Sequence, residues 1–214
     1  MSETVMLSNV RLSFPELVEP KGDKNNPNNK RFRGSFLMPV GGDQWKAVEA
    51  AIGNVAKAEW QDKAVGVMQL VNADAKSRCY GQGDQRRNQT TFEVYDGYAG
   101  MIYITAYNKE DRPPQIVGTD GKVVPVTNTM LLREVAGQMY PGCYVNVALS
   151  IYAQKANQEK GYGPGIRASI VAIQFCKDGE RFGEAAANVS GMFGAVAGGQ
   201  LPPAATDGLP SFMQ

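Results

Sequence analysis

Histidine is absent from the chain, and with it go the usual general base near neutral pH, the commonest zinc ligand and every triad built on imidazole. Cysteine is scarce: Cys79, Cys143 and Cys176 stand far apart, without the close spacing of a metal knuckle or redox motif, and read as buried thiols. No apolar run approaches membrane-spanning length, and the opening Met1-Ser-Glu-Thr4 lacks the basic and apolar regions of a signal peptide. A soluble intracellular protein without metal or cofactor is expected, so the sequons Asn88-Gln-Thr90 and Asn188-Val-Ser190 read as coincidences. Strong charge of one sign is missing too. With a formal net charge of +1, any reading as a polyanion binder must rest on how charge is distributed, not on its sum.

What the chain does have is period-two order. In 139–154, Cys143, Val145, Val147, Leu149, Ile151 and Ala153 point one way if extended, and Tyr144, Asn146, Ser150, Tyr152 and Gln154 the other. The stretch 97–108 repeats the layout, with Ile102, Ile104 and Ala106 opposed to Met101, Tyr103, Thr105 and Tyr107. Each strand thus has an apolar core face and a wet face carrying tyrosines. Tyrosine is ordinary on half-buried sheet surfaces, but on a polar background it is also a platform for flat ligands such as nucleobases.

Residues 4–14 read as an opening strand ended by Pro15, and 21–30 as a mobile polar loop without an apolar anchor. Residues 31–38 alternate again, with Phe32, Phe36 and Met38 opposed to Arg31, Arg33 and Ser35. Trp45, Val48, Ile52, Val55 and Ala56 have amphipathic-helix spacing over 44–61, with Asp43 as N-cap and both tryptophans packed inward. Lys76 to Arg87 reads as a hairpin with a basic tip, and Asp120-Gly121 as the tight turn of a hairpin over 116–124. A short helix or irregular connection over 131–139 and a last strand over 164–176 follow. Beyond residue 185 the composition turns to Ala, Gly, Pro and Ser with few charges, which cannot repay the entropy of ordering. The pattern is that of a β-barrel or sandwich with insertions.

Lys21, Lys24, Lys30, Arg31 and Arg33 outweigh Asp23 locally, and Lys76, Arg78, Arg86 and Arg87 outweigh Asp84. Both basic patches adjoin strands that present tyrosine. Cations track a phosphate backbone while aromatic faces accept any base, a combination suited to single strands of any sequence. Tyr103, Tyr107, Tyr144 and Tyr152 are therefore candidates for base stacking, and Arg31, Arg33, Arg78, Arg86, Arg87 and Lys155 for the backbone path. Tyr80, Tyr162 and Arg167 extend both sets.

Leu12-Ser-Phe-Pro-Glu-Leu17, residues 32–39, Gly97-Tyr-Ala-Gly-Met-Ile102, Arg112-Pro-Pro-Gln-Ile-Val117, Tyr140-Pro-Gly-Cys-Tyr-Val-Asn-Val147 and Asp178-Gly-Glu-Arg-Phe-Gly183 resemble, in order, a tailed-phage family of single-stranded-DNA-binding proteins. The block 140–147 is the most specific. The resemblance implies a mainly β, OB-fold-like five-stranded antiparallel barrel over 1–184, with extra hairpins, one amphipathic helix and a disordered C-terminal tail, 185–214. It implies sequence-independent coating of single-stranded DNA during phage replication and recombination in the host cytoplasm, without catalysis. Phage or host replication proteins are the partners such a tail would recruit. Asp207, Pro210 and Phe212 stand in the order seen in tails of that kind, though without an acidic run and followed by Met213-Gln214. Homo-oligomerisation stays open.

Two other classes compete. A nuclease could use Asp62 with Asp74-Ala-Lys76, or Glu19-Pro-Lys21, but neither supplies a base, nucleophile and oriented electrophile together. A non-catalytic phage structural or assembly protein would share the β-rich design. The basic, tyrosine-bearing faces separate it from a DNA binder.

Overall fold

The structure is a computed structural model that describes residues 1–23, 26–159 and 161–183. Strands β1 (Ser2–Asp23) and β2 (Asn26–Pro39) form a long antiparallel hairpin. Helices α1 (Asp43–Trp60) and α2 (Ala64–Ala73) follow, then β3 (Tyr80–Gln82), β4 (Met101–Lys109), β5 (Gln115–Val117), α3 (Thr129–Gly137), β6 (Tyr144–Gln154) and β7 (Gly165–Lys177). The sheet has seven strands in the order β3-β4-β2-β1-β6-β7-β5, and only the β5–β7 pair is parallel.

The expected core faces are the observed ones. Ile102, Ile104 and Ala106 of β4 and Val145, Val147, Leu149 and Ile151 of β6 are buried in one cluster. Trp45, Val48, Ile52 and Val55 bring the apolar stripe of α1 onto it. Each such aliphatic side chain contributes about 1.5–3 kcal/mol on full burial. The N-cap of α1 is Gly42, not Asp43, which begins the helix and places its carboxylate in the first turn. Helix α2 had no legible signal: it buries only Val71 and leaves Val65 and Leu70 exposed.

The hairpin corrects two expectations. Pro15 does not end β1; it falls in a register irregularity between Ser13 and Glu16, where it forfeits no ladder bond, and the strand runs on to Asp23. Much of the expected loop 21–30 is paired, with Lys21 opposite Arg31 and Asp23 opposite Asn26. The expected turn at Asp120-Gly121 is present, with Gly121 at φ 79° and the Gly118 N–H donating to the Lys122 carbonyl.

The sheet stays open as a hydrogen-bonded ladder, and the five-stranded closed form is not what the strands make. It nevertheless curls until β4 approaches β7. There the buried carboxamide of Asn108 accepts from the Ile170 N–H (2.7 Å) and donates to the Ile170 carbonyl (2.8 Å), in place of a ladder rung. It also donates to the Arg112 carbonyl (3.0 Å). Residues Ser77 to Cys79 span the same gap, since Ile166 N–H donates to Ser77 and Thr105 N–H to Cys79. Among the described residues no helix is long and apolar enough to cross a membrane.

Candidate nucleic-acid interface

The curl creates a groove of about 1100 Å³ between β4 and the paired ends of β6 and β7. Alternation puts Tyr103, Thr105 and Tyr107 on the outer face of β4, because Ile102, Ile104 and Ala106 occupy the core. Tyr152 reaches the groove from β6, beside its cross-strand partner Arg167 on β7. Tyr162 enters from the β6–β7 connection, and 38–39% of the surface of Tyr107 and Tyr162 is exposed. Burial pushes the Tyr152 phenol above its ordinary value.

Several features hold Tyr103. Its ring lies 5.6 Å from that of the buried Tyr98, which the segment after β3 folds onto the outer face of the sheet. Beneath them Ser13, Ser35 and Thr105 form a buried row across β1, β2 and β4, with the Ser35 and Thr105 hydroxyls 2.8 Å apart. On β3, Gly81 faces the Tyr103 hydroxyl so closely that a Cβ would lie 2.7 Å from it. Arg86 sits 5.0 Å over the Tyr103 ring. Burial opposes its charge, but the phenols of Tyr103, Tyr98 and Tyr107 more than offset this, so the guanidinium titrates above its ordinary value.

The walls are basic. Among the described residues, Lys30, Arg31, Lys76, Arg78, Arg86, Lys109 and Arg167 face two carboxylates, Glu110 and Asp111. In a chain of net charge +1 this local excess of five cations leaves the rest of the chain with a net negative charge. Arg31 and Lys109 are register partners on β2 and β4, whereas Lys21, opposite Arg31 on β1, lines a separate depression beside Arg133. Like charges directly opposite one another destabilise a sheet, an arrangement that a bound polyanion would relieve. Arg167 is aimed by hydrogen bonds to Gln154 Oε1 (3.2 Å) and the Lys76 carbonyl (2.9 Å). Cys79 lines the same groove, but burial pushes its thiol up to about 12.

Eight of the residues read from the sequence meet in this groove: Tyr103, Tyr107, Tyr152 and Tyr162 with Arg31, Arg78, Arg86 and Arg167. The others lie elsewhere. Arg33 pairs with Glu16 (2.9 Å), Lys155 with Glu59 (3.1 Å), and Arg87 donates to the Phe92 carbonyl. Tyr80 pairs in register with the core residue Ile104, packs on Trp45 and donates to Asn72. Tyr144 belongs to a separate cluster at the other end of β6, under Arg11 and Lys177. The expected basic-tip hairpin is instead a short strand, a 3-10 turn over Gly83–Gln85 and an Arg87–Val94 bridge that turns Arg86 inward. Asp207, Pro210 and Phe212 lie outside the described residues.

Sequence reading missed Asn28, Asn29, Lys30, Lys76 and Lys109 as lining residues. Lys30 and Lys76 lay within the basic patches already noted. Lys109 carried no signal, because its value comes from standing opposite Arg31 in register.

The family model described as Enterobacter phage Enc34, ssDNA-binding protein, matches residues 3–198. A protein called p50 from Acyrthosiphon pisum secondary endosymbiont phage 1 is 33% identical over 180 residues, covering 83% of this chain and 85% of that one. The bacteriophage Enc34 single-stranded DNA-binding protein, solved in complex with ssDNA, superposes with a TM-score of 0.63 at 24% identity, over 84% of this chain and 89% of that one. Bacteriophage T7 gp2.5, also a single-stranded DNA-binding protein, superposes at 0.50 with 10% identity, over 92% and 100%. At these identities the two solved structures speak for the fold alone.

Proposed function

The chain belongs to the family of the Enterobacter phage Enc34 ssDNA-binding protein, and on that premise we propose that it binds single-stranded DNA without sequence preference, in the groove between β4 and the β6–β7 pair. Tyr103, Tyr107, Tyr152 and Tyr162 offer faces to bases, and Arg31, Arg78, Arg86 and Arg167, with Lys30, Lys76 and Lys109, accompany the phosphates. The observation that carries this reading is a single groove in which seven cations, with Arg31 and Lys109 directly opposite each other on β2 and β4, stand over a tyrosine-lined floor. The chemistry is stacking and counterion release: each base stack is worth about 1–3 kcal/mol, and neither effect needs a catalytic group.

Within this proposal the curled sheet acts as an OB-like barrel whose seam is bridged by Asn108. The protein coats and protects strands exposed during phage replication and recombination in the host cytoplasm. Titration of a labelled oligonucleotide tests it. Affinity for single strands should exceed that for duplex and fall with salt by about 0.7 log unit per log salt for each phosphate neutralised. Salt-independent binding, or none, would favour a structural role in the phage particle.

A further inference from the structure

A second cationic-aromatic cluster lies at the far end of β6. Arg11, Tyr144 and Lys177 are register partners across β1, β6 and β7. Lys177 Nζ stands 4.7 Å from the centre of the Tyr144 ring, and the Arg11 guanidinium lies 5.1 Å from Tyr144 and 4.4 Å from Phe182. Arg181 lies 4.1 Å over the ring of Tyr140. The cations differ in what holds them. Arg11 is committed to the fold, because it donates to the Glu180 carbonyl and its Nε is buried. Lys177 and Arg181 are exposed, each fixed over a ring instead of ranging through solvent. The nearby Asp178 carboxylate accepts from the Tyr140 hydroxyl at 2.9 Å.

The surface leading there from the groove suits a polyanion. Tyr152 lies eight positions along β6 from Tyr144, about 26 Å of strand. Between them the outward side chains are Ser150, Ala148 and Asn146 on β6, opposite Ser169, Ala172 and Gln174 on β7. None is a carboxylate. One face of one strand pair therefore has a basic aromatic site at each end and a neutral floor between.

We propose that Lys177 and Arg181, held over Tyr144 and Tyr140, form a second phosphate-binding site for the same single strand, which leaves the groove at Tyr152 and runs along the outer face of β6. This rests on the assignment of the groove to single-stranded DNA. It predicts that the far site is felt only by strands long enough to reach it.

The test compares labelled oligothymidylates of about 6 and about 16 nucleotides, within the span bound by single OB modules, on the full chain and on the double variant Lys177→Ala/Arg181→Ala. For the longer strand the variant should lose about tenfold or more in affinity at 0.1 M salt, and its salt slope should drop by about 1.4, which is 0.7 for each of two cations. For the shorter strand affinity should stay within about twofold, and Lys177→Arg/Arg181→Lys should restore the longer one. Equal affinity of the variant and the unaltered protein for the longer strand, or equal losses at both lengths, would overturn the proposal. Failure of the unaltered chain to bind either oligonucleotide would instead overturn the groove assignment.

Discussion

Asn108 on β4 and Ile170 on β7 exchange two hydrogen bonds, of 2.7 and 2.8 Å, between a side-chain amide and a peptide unit, where the sheet has no ladder rung. Leucine is close in size to asparagine but cannot replace either bond. Asn108→Leu leaves the Ile170 N–H and carbonyl without their partner, at about 1–3 kcal/mol for each buried group. Urea unfolding should show a loss of about 2–6 kcal/mol. An unchanged midpoint would mean that Ser77 to Cys79 alone hold the seam.

Tyr107 is exposed and stands over the groove, so its ring adds little to the fold. Tyr107→Ala should weaken oligonucleotide binding by about 5- to 150-fold, the worth of one stack, while the melting temperature moves by only a few degrees. Fluorescence anisotropy and a thermal melt on the same sample separate the two effects. A large melting shift with unchanged affinity would return Tyr107 to a structural role.

Arg31 and Arg33 are two residues apart and should behave differently. Arg31 lines the groove, whereas Arg33 pairs with Glu16. Arg31→Ala should lower the salt slope of binding by about 0.7. Arg33→Ala should leave that slope unchanged and instead release the Glu16 carboxylate, 10% exposed, from its partner. Slopes measured between 0.05 and 0.3 M salt decide; equal slopes for both variants would remove Arg31 from the path.

Burial pushes the thiols of Cys79 and Cys143 up to about 12 and about 11, from an ordinary 9.0. The unfolded chain therefore releases these protons first as pH rises. Stability from this source is fully present below about pH 9 and is lost between 9 and the folded values, each thiol contributing a decline of up to about 1.4 kcal/mol per pH unit. Urea midpoints from pH 8 to 10.5 should fall, and Cys143→Ala should fall less steeply. A flat profile would show that both thiols ionise alike in the two states.

Much of the fold was legible because it depends on local alternation. Residues 101–109 and 144–154 sort core from wet face at a period of two, and burial against α1 leaves only one way to orient them. Helix α2 was not legible, since the exposed Val65 and Leu70 are as apolar as Val67, Met68 and Val71, which pack on the core, and so blur its stripe. The candidate site was half legible. Tyrosines on wet faces could be named, but which of them share a groove depends on curl and register. Tyr152 joins Tyr103 because β7 swings back to β4, while Tyr144, on the same face of the same strand, is carried away. Arg33 and Lys155 looked like free cations because Glu16 and Glu59, which pair with them, are distant in sequence.

Gly81 turns a missing atom into a determinant of where the Tyr103 ring lies. A methyl group there would meet the Tyr103 hydroxyl at 2.7 Å, so the phenol would have to move. The position of that ring is thus set from the edge strand β3, by a residue with no side chain of its own. A screen confined to chemically active positions would pass over 81, yet alanine there should displace the Tyr103 ring with every cation still in place.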